Sequence, residues 1–321
     1  MTIRKVLFGA LVALPLIAAS AFAQETRSFT DDLGRVVEVP VKPLRIVSLH
    51  DSNLTVPLLE LGVVPVGSHG RTTEAGEPYI RSSAMLTGVD FSTSAIEFVG
   101  NLPADIEAVA ALEPDLILTI PWQTAPLDQL EAIAPTIVFD STTRRGIDMY
   151  QALAELTGTE DRLTSLEGRY QEQIAQIKKL VDVENTTVNV MQGNQGVFYV
   201  THTYGGLGKI LRDAGFTFPE AVEALGEGGE GEFTGERLPE LDADVIFVTY
   251  RAEGGETAAI AEQALEAVMP GFCDFLHACR EGQILYLPRD EGHSSSYAAL
   301  SMTSFAVLTQ LSGRNVVRRQ Q

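Results

Sequence analysis

The chain has 321 residues, 45% of them hydrophobic, and carries 23 basic against 43 acidic side chains for a net charge of −20. That length supports one large domain or two lobes, each with its own core. So acidic a surface repels the phosphates of nucleic acid and of anionic membranes, which excludes both as binding partners.

The first 23 residues read as a secretory signal. Arg4 and Lys5 form the positive start, residues 6–19 are apolar or small, and Ala21-Phe22-Ala23 is a small-x-small cleavage site. The apolar run is too short to cross a bilayer, which takes about 20 residues. Cleavage after Ala23 predicts a soluble protein outside the cytoplasm. Gln24 follows where a lipoprotein would have a cysteine, so the expected location is the periplasm, without a lipid tether.

Residues 27–30 and 35–39 predict a hairpin around Asp32-Leu33-Gly34. Short apolar runs then alternate with helical patterns. Residues 45–49, 63–67, 115–118 and 136–139 read as strands, and Ser52 caps a helix that Gly62 ends. From 147 to 181 the period changes. Leu153, Leu156, Leu163, Leu166, Tyr170, Ile174, Ile177 and Val181 recur at helical spacing, which predicts one long helix kinked near Thr157-Gly158. Alternation resumes with strands at 187–191, 197–200, 245–249 and 284–287, and helices at 206–214, 257–268 and 297–311. The acidic glycine-rich run 220–232 lacks the alternating aspartates of a calcium loop and reads as a mobile, solvated loop.

One short repeat divides the chain. Glu107 is followed at +5 by Leu112 and at +8 by Asp115, then by Leu116-Ile117; Glu236 is followed by Leu241, Asp244 and Val245-Ile246 at the same spacing. One copy stands on each side of the long helix. The predicted architecture is therefore α/β: two three-layer lobes with parallel-rich sheets, 24–146 and 182–321, joined by the rigid helix 147–181. Ligands of parallel sheets sit beyond the carboxyl ends of the strands, so the ligand cleft is expected between the lobes.

Two enzyme patterns fail on inspection. Gly205-Gly206-Leu207-Gly208-Lys209 has Thr203 where a phosphate-binding loop needs its first glycine, and Ile210 where it needs Ser or Thr. Gly292-His293-Ser294-Ser295-Ser296 has Ser296 where a nucleophile elbow needs its second glycine, which leaves a serine hydrolase acting through Ser294 as a remote alternative. Cys273 and Cys279, the only cysteines, form either a local disulfide or two buried thiols. With only His277 between them they make no zinc site.

Several stretches together carry a resemblance: Phe29-Thr30-Asp31-Asp32-Leu33-Gly34-Arg35, Pro43-Leu44-Arg45-Ile46-Val47-Ser48-Leu49, DIEAVAALEPDLIL at 105–118, LEAIAPT at 130–136 and LPELDADVIFV at 238–248. In order and spacing the chain resembles the periplasmic solute-binding proteins of ABC importers for ferric siderophores, haem and cobalamin. The resemblance implies two α/β lobes bridged by a stiff helix, and a monomer that performs no catalysis and needs no cofactor. It also implies delivery of a ligand to an inner-membrane ABC permease. Its ligand here is expected to be a ferric siderophore, with haem or cobalamin as alternatives. It implies too that Glu107 and Glu236 dock the lobes onto the permease; two separated point charges fix orientation and steer encounter.

The strand-end loops supply the candidate ligand groups. Arg71, Arg144, Arg145, Arg251 and Arg289 offer rigid donor forks to the oxygens of an anionic chelate, or pair with surface carboxylates. Trp122, the only tryptophan, follows a strand and is placed to cover a chelate face. His202, Tyr204 and His293 complete the set with Tyr250. Some relatives finish an iron coordination sphere with protein side chains, so His202, Tyr250, His293 and Tyr297 are the candidate iron contacts. No spacing in the chain makes a dedicated metal site.

Overall fold

The computed structural model describes residues 24–319 except 141 and 145. The signal segment and Arg145 therefore lie outside the described residues. Each lobe is built on a five-stranded sheet. In the N-lobe the order is Glu97–Phe98, Gly67–Ser68, Ile46–Ser48, Leu116–Thr119, Thr136–Val138, and every pair is parallel. In the C-lobe the order is Glu230–Phe233, Val197–Thr201, Val188–Asn194, Val245–Tyr250, Ile284–Pro288. There the last three are mutually parallel, while Val197–Thr201 returns antiparallel as a hairpin from Val188–Asn194.

The central strands are continuous apolar runs because both of their faces are covered. Leu116, Ile117 and Leu118 are fully buried, as are Ile246 and Phe247. One face of each sheet packs on helices of its own lobe, giving separate clusters around Val47, Val109 and Ile117 and around Phe198, Leu238 and Ile246. The other faces share a single core that runs from Phe29 and Leu118 through Leu153 and Tyr170 to Phe247 and Val307. The lobes are thus joined by packed side chains as well as by the chain. Among the described residues no helix is long and apolar enough to cross a membrane.

The repeat has a structural meaning. The Asp115 carboxylate accepts the N–H groups of Leu44 and Arg45 at 2.8 and 2.9 Å, tying down the entry to Ile46–Ser48. Asp244 accepts the N–H of Thr187 at 2.8 Å, at the entry to Val188–Asn194. Each aspartate satisfies backbone donors at the amino end of the strand beside its own.

Four expectations are corrected. The helical run is two helices, Ile147–Thr157 and Glu160–Leu180, because Gly158 takes a left-handed φ of 68° that ends the first. The strand expected at 63–67 is only Gly67–Ser68. The helix expected to start from Ser52 is capped instead by the ring of His50. The acidic run 220–232 is not a loop throughout; it holds the helix Glu220–Glu223 and the edge strand Glu230–Phe233.

Candidate functional site

In the N-lobe all five strands point their carboxyl ends the same way, so the loops that follow them gather in one place. His50 ends the loop after Ile46–Ser48, and its Nδ1 accepts the N–H of Asn53 at 3.1 Å. Its ring is the middle layer of a column. His69 lies against it at 5.6 Å between centroids and 6°, and Trp122 at 5.6 Å and 17°. The column runs from the buried His69 to Trp122, whose side is 56% exposed. Gln123 holds the loops in register, donating to Leu49 O and Asn101 O while accepting from Ala104 N–H at 3.0 Å.

A buried carboxylate, paired with a half-buried arginine, stands beside the column. Arg81 donates through Nε to Asp51 Oδ2 at 2.8 Å and through Nη2 to Oδ1 at 2.6 Å. Burial alone would raise the Asp51 carboxyl, but the donors and charge of Arg81 override it and hold it at about 2. Burial pushes His50 down to about 4 against the pull of Asp51, and it lowers His69 as well. Both imidazoles are therefore neutral at neutral pH. Arg71 lies close enough for its charge to lower both histidines further. Its Nε is buried with no hydrogen-bond partner, and among the described residues no carboxylate pairs with it. The column, the salt pair and Arg71 form a wall that carries an uncompensated positive charge.

The C-lobe contributes a cavity of about 340 Å³ whose lining includes Gln192, Tyr199, Thr249, Arg251, Glu256 and Arg289. Its floor is a polar network. Tyr204 is buried, and its hydroxyl lies 2.7 Å from Thr249 Oγ1 and takes the Gln192 side-chain N–H at 2.5 Å. His293 packs edge-on against the Tyr204 ring at 5.3 Å. The two glycines that once suggested a phosphate loop serve close packing here: a Cβ on Gly205 would meet the His293 carbonyl at 2.2 Å, and one on Gly206 the Ser294 carbonyl at 2.2 Å. The loops of the two lobes meet where a Cβ on Gly146 would lie 3.4 Å from Ser295 Cβ.

The sequence-predicted residues separate accordingly. Arg71 and Trp122 are brought together on the N-lobe wall, and Arg251, Arg289, Tyr204 and His293 on or beneath the C-lobe wall. Arg251 faces Glu256 at 3.7 Å. Arg144 is taken up by Asp32 at 2.7 Å and lies over the ring of Phe139. His202 is placed apart from the others. Its strand runs antiparallel, so it emerges level with the amino ends of the parallel strands, beside Glu223 at 3.5 Å. Tyr250 is half-buried against the C-lobe core. Tyr297 is buried at the lobe junction, packed on Tyr150. Burial raises the phenols of Tyr204 and Tyr297, and burial with a hydrogen bond to Glu230 pushes Tyr199 to about 12. In the absence of a metal these phenols stay protonated at neutral pH. Among the described residues no group of three or more His, Cys, Asp or Glu side chains is arranged to hold a metal ion. Glu107 and Glu236 are exposed, each in the first turn of the segment that leads into the fourth strand of its lobe's sheet. Cys273 and Cys279 are joined as a disulfide.

Asp51 and Arg81 escaped the sequence reading. Arg81 follows only the two-residue strand Pro78–Tyr79, which no apolar run announces, and is 30 positions from its partner. The only signal was Asp51 itself, a carboxylate set directly after a buried-strand run.

The chain matches the family described as periplasmic binding protein over residues 84–291. The iron(3+)-hydroxamate-binding protein FhuD of Bacillus subtilis is 27% identical over 255 residues, covering 77% of this chain and 76% of that protein. The petrobactin-binding protein YclQ of the same organism is 26% identical over 216 residues, 64% of this chain and 65% of its own. Among solved structures, a FhuD-fold periplasmic binding protein of a Fep/Fec-like ferrichrome ABC transporter from Bacillus subtilis superposes with a TM-score of 0.73. It is 22% identical, with 89% of this chain and 100% of that one covered. Staphylococcus aureus SirA complexed with staphyloferrin B gives 0.68 at 23% identity, with 88% and 99% covered. At these identities the structures establish the two-lobed fold.

Proposed function

Since the chain belongs to the periplasmic binding protein family, we propose that it captures a ferric siderophore between its lobes and hands it to an inner-membrane ABC permease. The iron is cargo and stays in its chelator. The protein supplies shape and charge and performs no chemistry on its ligand. The observation that carries this reading is the pairing of two walls at the carboxyl ends of the sheets: Trp122 and the unopposed Arg71 on one lobe, the cavity with Arg251 and Arg289 on the other. An exposed indole covers an apolar chelate face, and guanidinium forks meet its oxygens. The iron-hydroxamate and petrobactin receptors among the relatives support the same class of ligand.

On this reading the signal is removed after Ala23, the lobes are 24–146 and 182–321, and the mature monomer diffuses in the periplasm. Glu107 and Glu236 dock it onto the permease. Arg144 rims the cleft, Arg145 remains a ligand contact by its sequence position alone, and His293 with Tyr250 lines the C-lobe side. Native mass spectrometry of residues 24–321 after incubation with ferric siderophores, haemin and cobalamin tests the reading. The expected result is a one-to-one complex with a ferric siderophore. A complex with haemin or cobalamin alone, or ester turnover abolished by Ser294→Ala, would refute it.

A further inference from the structure

Glu60 is an N-lobe carboxylate buried at the junction with the C-lobe, 7% exposed. Its Oε1 accepts the N–H of Ala298 at 2.8 Å. Its Oε2 accepts the N–H of Tyr297 at 2.9 Å and the hydroxyl of Tyr150. Its main-chain carbonyl accepts Nε of Arg162 at 2.9 Å. The two N–H groups open the helix Tyr297–Ser312, where backbone donors are without intrahelical partners and the helix dipole favours an anion. One residue therefore joins three bodies: its carboxylate links the N-lobe to Tyr150 of the bridging helices and to the last helix of the C-lobe, and its main-chain carbonyl takes Arg162.

The element that carries Glu60 also reaches the ligand wall. Asp51–Thr55 and Val56–Glu60 are consecutive helical segments, and the residues at their junction are helical. At the first end of this rod stand His50, layered against Trp122, and Asp51, bound to Arg81. At the last end stands Glu60. On the receiving side, Tyr297 follows directly on the loop 294–296, which leaves the helix Arg289–His293 at His293 and meets the N-lobe at Gly146.

We infer that Glu60 is a positioning residue that couples the N-lobe ligand wall to the angle between the lobes. The inference rests on the cleft-binding reading for its effect on affinity, though not for its effect on lobe geometry. A buried carboxylate that loses its donors is costly, so only the arrangement that keeps all three is populated. A ligand pressing on the column moves the rod against this joint, and the joint carries the displacement to the His293 loop. The raised phenol of Tyr150, driven by burial and by Glu60, remains a donor throughout.

The test uses spin labels on Asp128→Cys in the N-lobe and Gln263→Cys in the C-lobe, both exposed helical positions, with the native disulfide left oxidised. Double electron–electron resonance compares the parent with Glu60→Gln and Tyr150→Phe, and ferric desferrioxamine B, a trishydroxamate, is the ligand probe. Expected without ligand is a narrow inter-lobe distance in the parent, a broadened one in Glu60→Gln and an intermediate one in Tyr150→Phe. The affinity of Glu60→Gln is expected to fall by about tenfold, the scale of one charge-assisted hydrogen bond, through faster dissociation. A lowered melting temperature with unchanged distances and unchanged affinity would overturn the proposal and make Glu60 a packing residue. Broadened distances with unchanged affinity would overturn the coupling. If Glu60→Gln does not fold, Tyr150→Phe carries the same comparison. Failure of the parent to bind any ferric chelate would refute the receptor reading instead, and the ligand-free distances would still decide the role of Glu60.

Discussion

Replacing Arg81 by methionine keeps the stem of the side chain and removes the partner of a fully buried carboxylate. In the parent, Asp51 is held at about 2 against an ordinary value of 3.8. That difference is worth about 2 kcal/mol at neutral pH. Without Arg81 the desolvation is opposed only by the Ser52 N–H and the two histidines, so the Asp51 carboxyl rises. Breaking a buried pair from one side costs about 3–5 kcal/mol, and the larger figure applies if neither His50 nor His69 takes a proton in compensation. The sign fixes the pH dependence. In the parent, this stabilisation is complete above pH 4 and is lost as pH falls through about 2. In Arg81→Met the carboxylate is a liability at neutral pH that protonation relieves. Urea denaturation of parent and variant at several values between pH 7 and pH 4.5 measures the gap. It is expected to be widest at pH 7 and to narrow towards pH 4.5. A gap of constant size, or one under about 1 kcal/mol, would show that the pair is not the buried, desolvated contact described.

Three further outcomes follow from the same geometry. The fluorescence of Trp122 is expected to be quenched as pH falls through about 4, where the stacked His50 gains its proton, and His50→Gln should abolish that step. Because the unfolded chain protonates His50 near 6.5 and the folded one near 4, stability should decline by about 3 kcal/mol across that interval, and the same variant should flatten the decline in a denaturation series. Gly206→Ala drives a methyl into the Ser294 carbonyl at 2.2 Å; a loss of about 2 kcal/mol is expected in thermal unfolding, together with weakened ligand binding through the displaced His293 loop. Glu107→Ala combined with Glu236→Ala should abolish iron uptake by cells while leaving the affinity of the purified protein unchanged, and lost affinity would remove both residues from the docking role.

How much was legible follows from how local the signals are. Strands such as Leu116–Thr119 and Val245–Tyr250 announce themselves because burial on both faces demands an unbroken apolar run. The two-lobed plan was readable from the spacing between Glu107 and Asp115, repeated from Glu236 to Asp244, since each aspartate ties a neighbouring strand. Strand direction was not readable. Val197–Thr201 has the composition of its parallel neighbours, and its reversal depends on the tight turn at Gln195-Gly196, so His202 was expected at the wrong end of the sheet. The partnership of Asp51 with Arg81 was hidden for another reason: it is made by tertiary packing between a strand-end loop and a separate strap, with no periodicity to mark it. Arg144 was legible as a cation but not as the partner of Asp32, 112 positions away. Glu60 carried no signal, because nothing local reveals that a helix 237 positions later begins on its carboxylate.

The central claim is that the cleft takes a ferric siderophore, and its most direct test is a fluorescence titration of residues 24–321. Trp122 is the only tryptophan in the chain and stands on the N-lobe wall, so it reports on the site without added labels. Ferric hydroxamate, catecholate and carboxylate chelates are titrated beside free ferric ion, haemin and cobalamin. The account predicts saturable quenching by at least one ferric siderophore, weakened by Arg71→Ala. Saturation by haemin or cobalamin alone, or quenching by free ferric ion equal to that by its chelates, would contradict it.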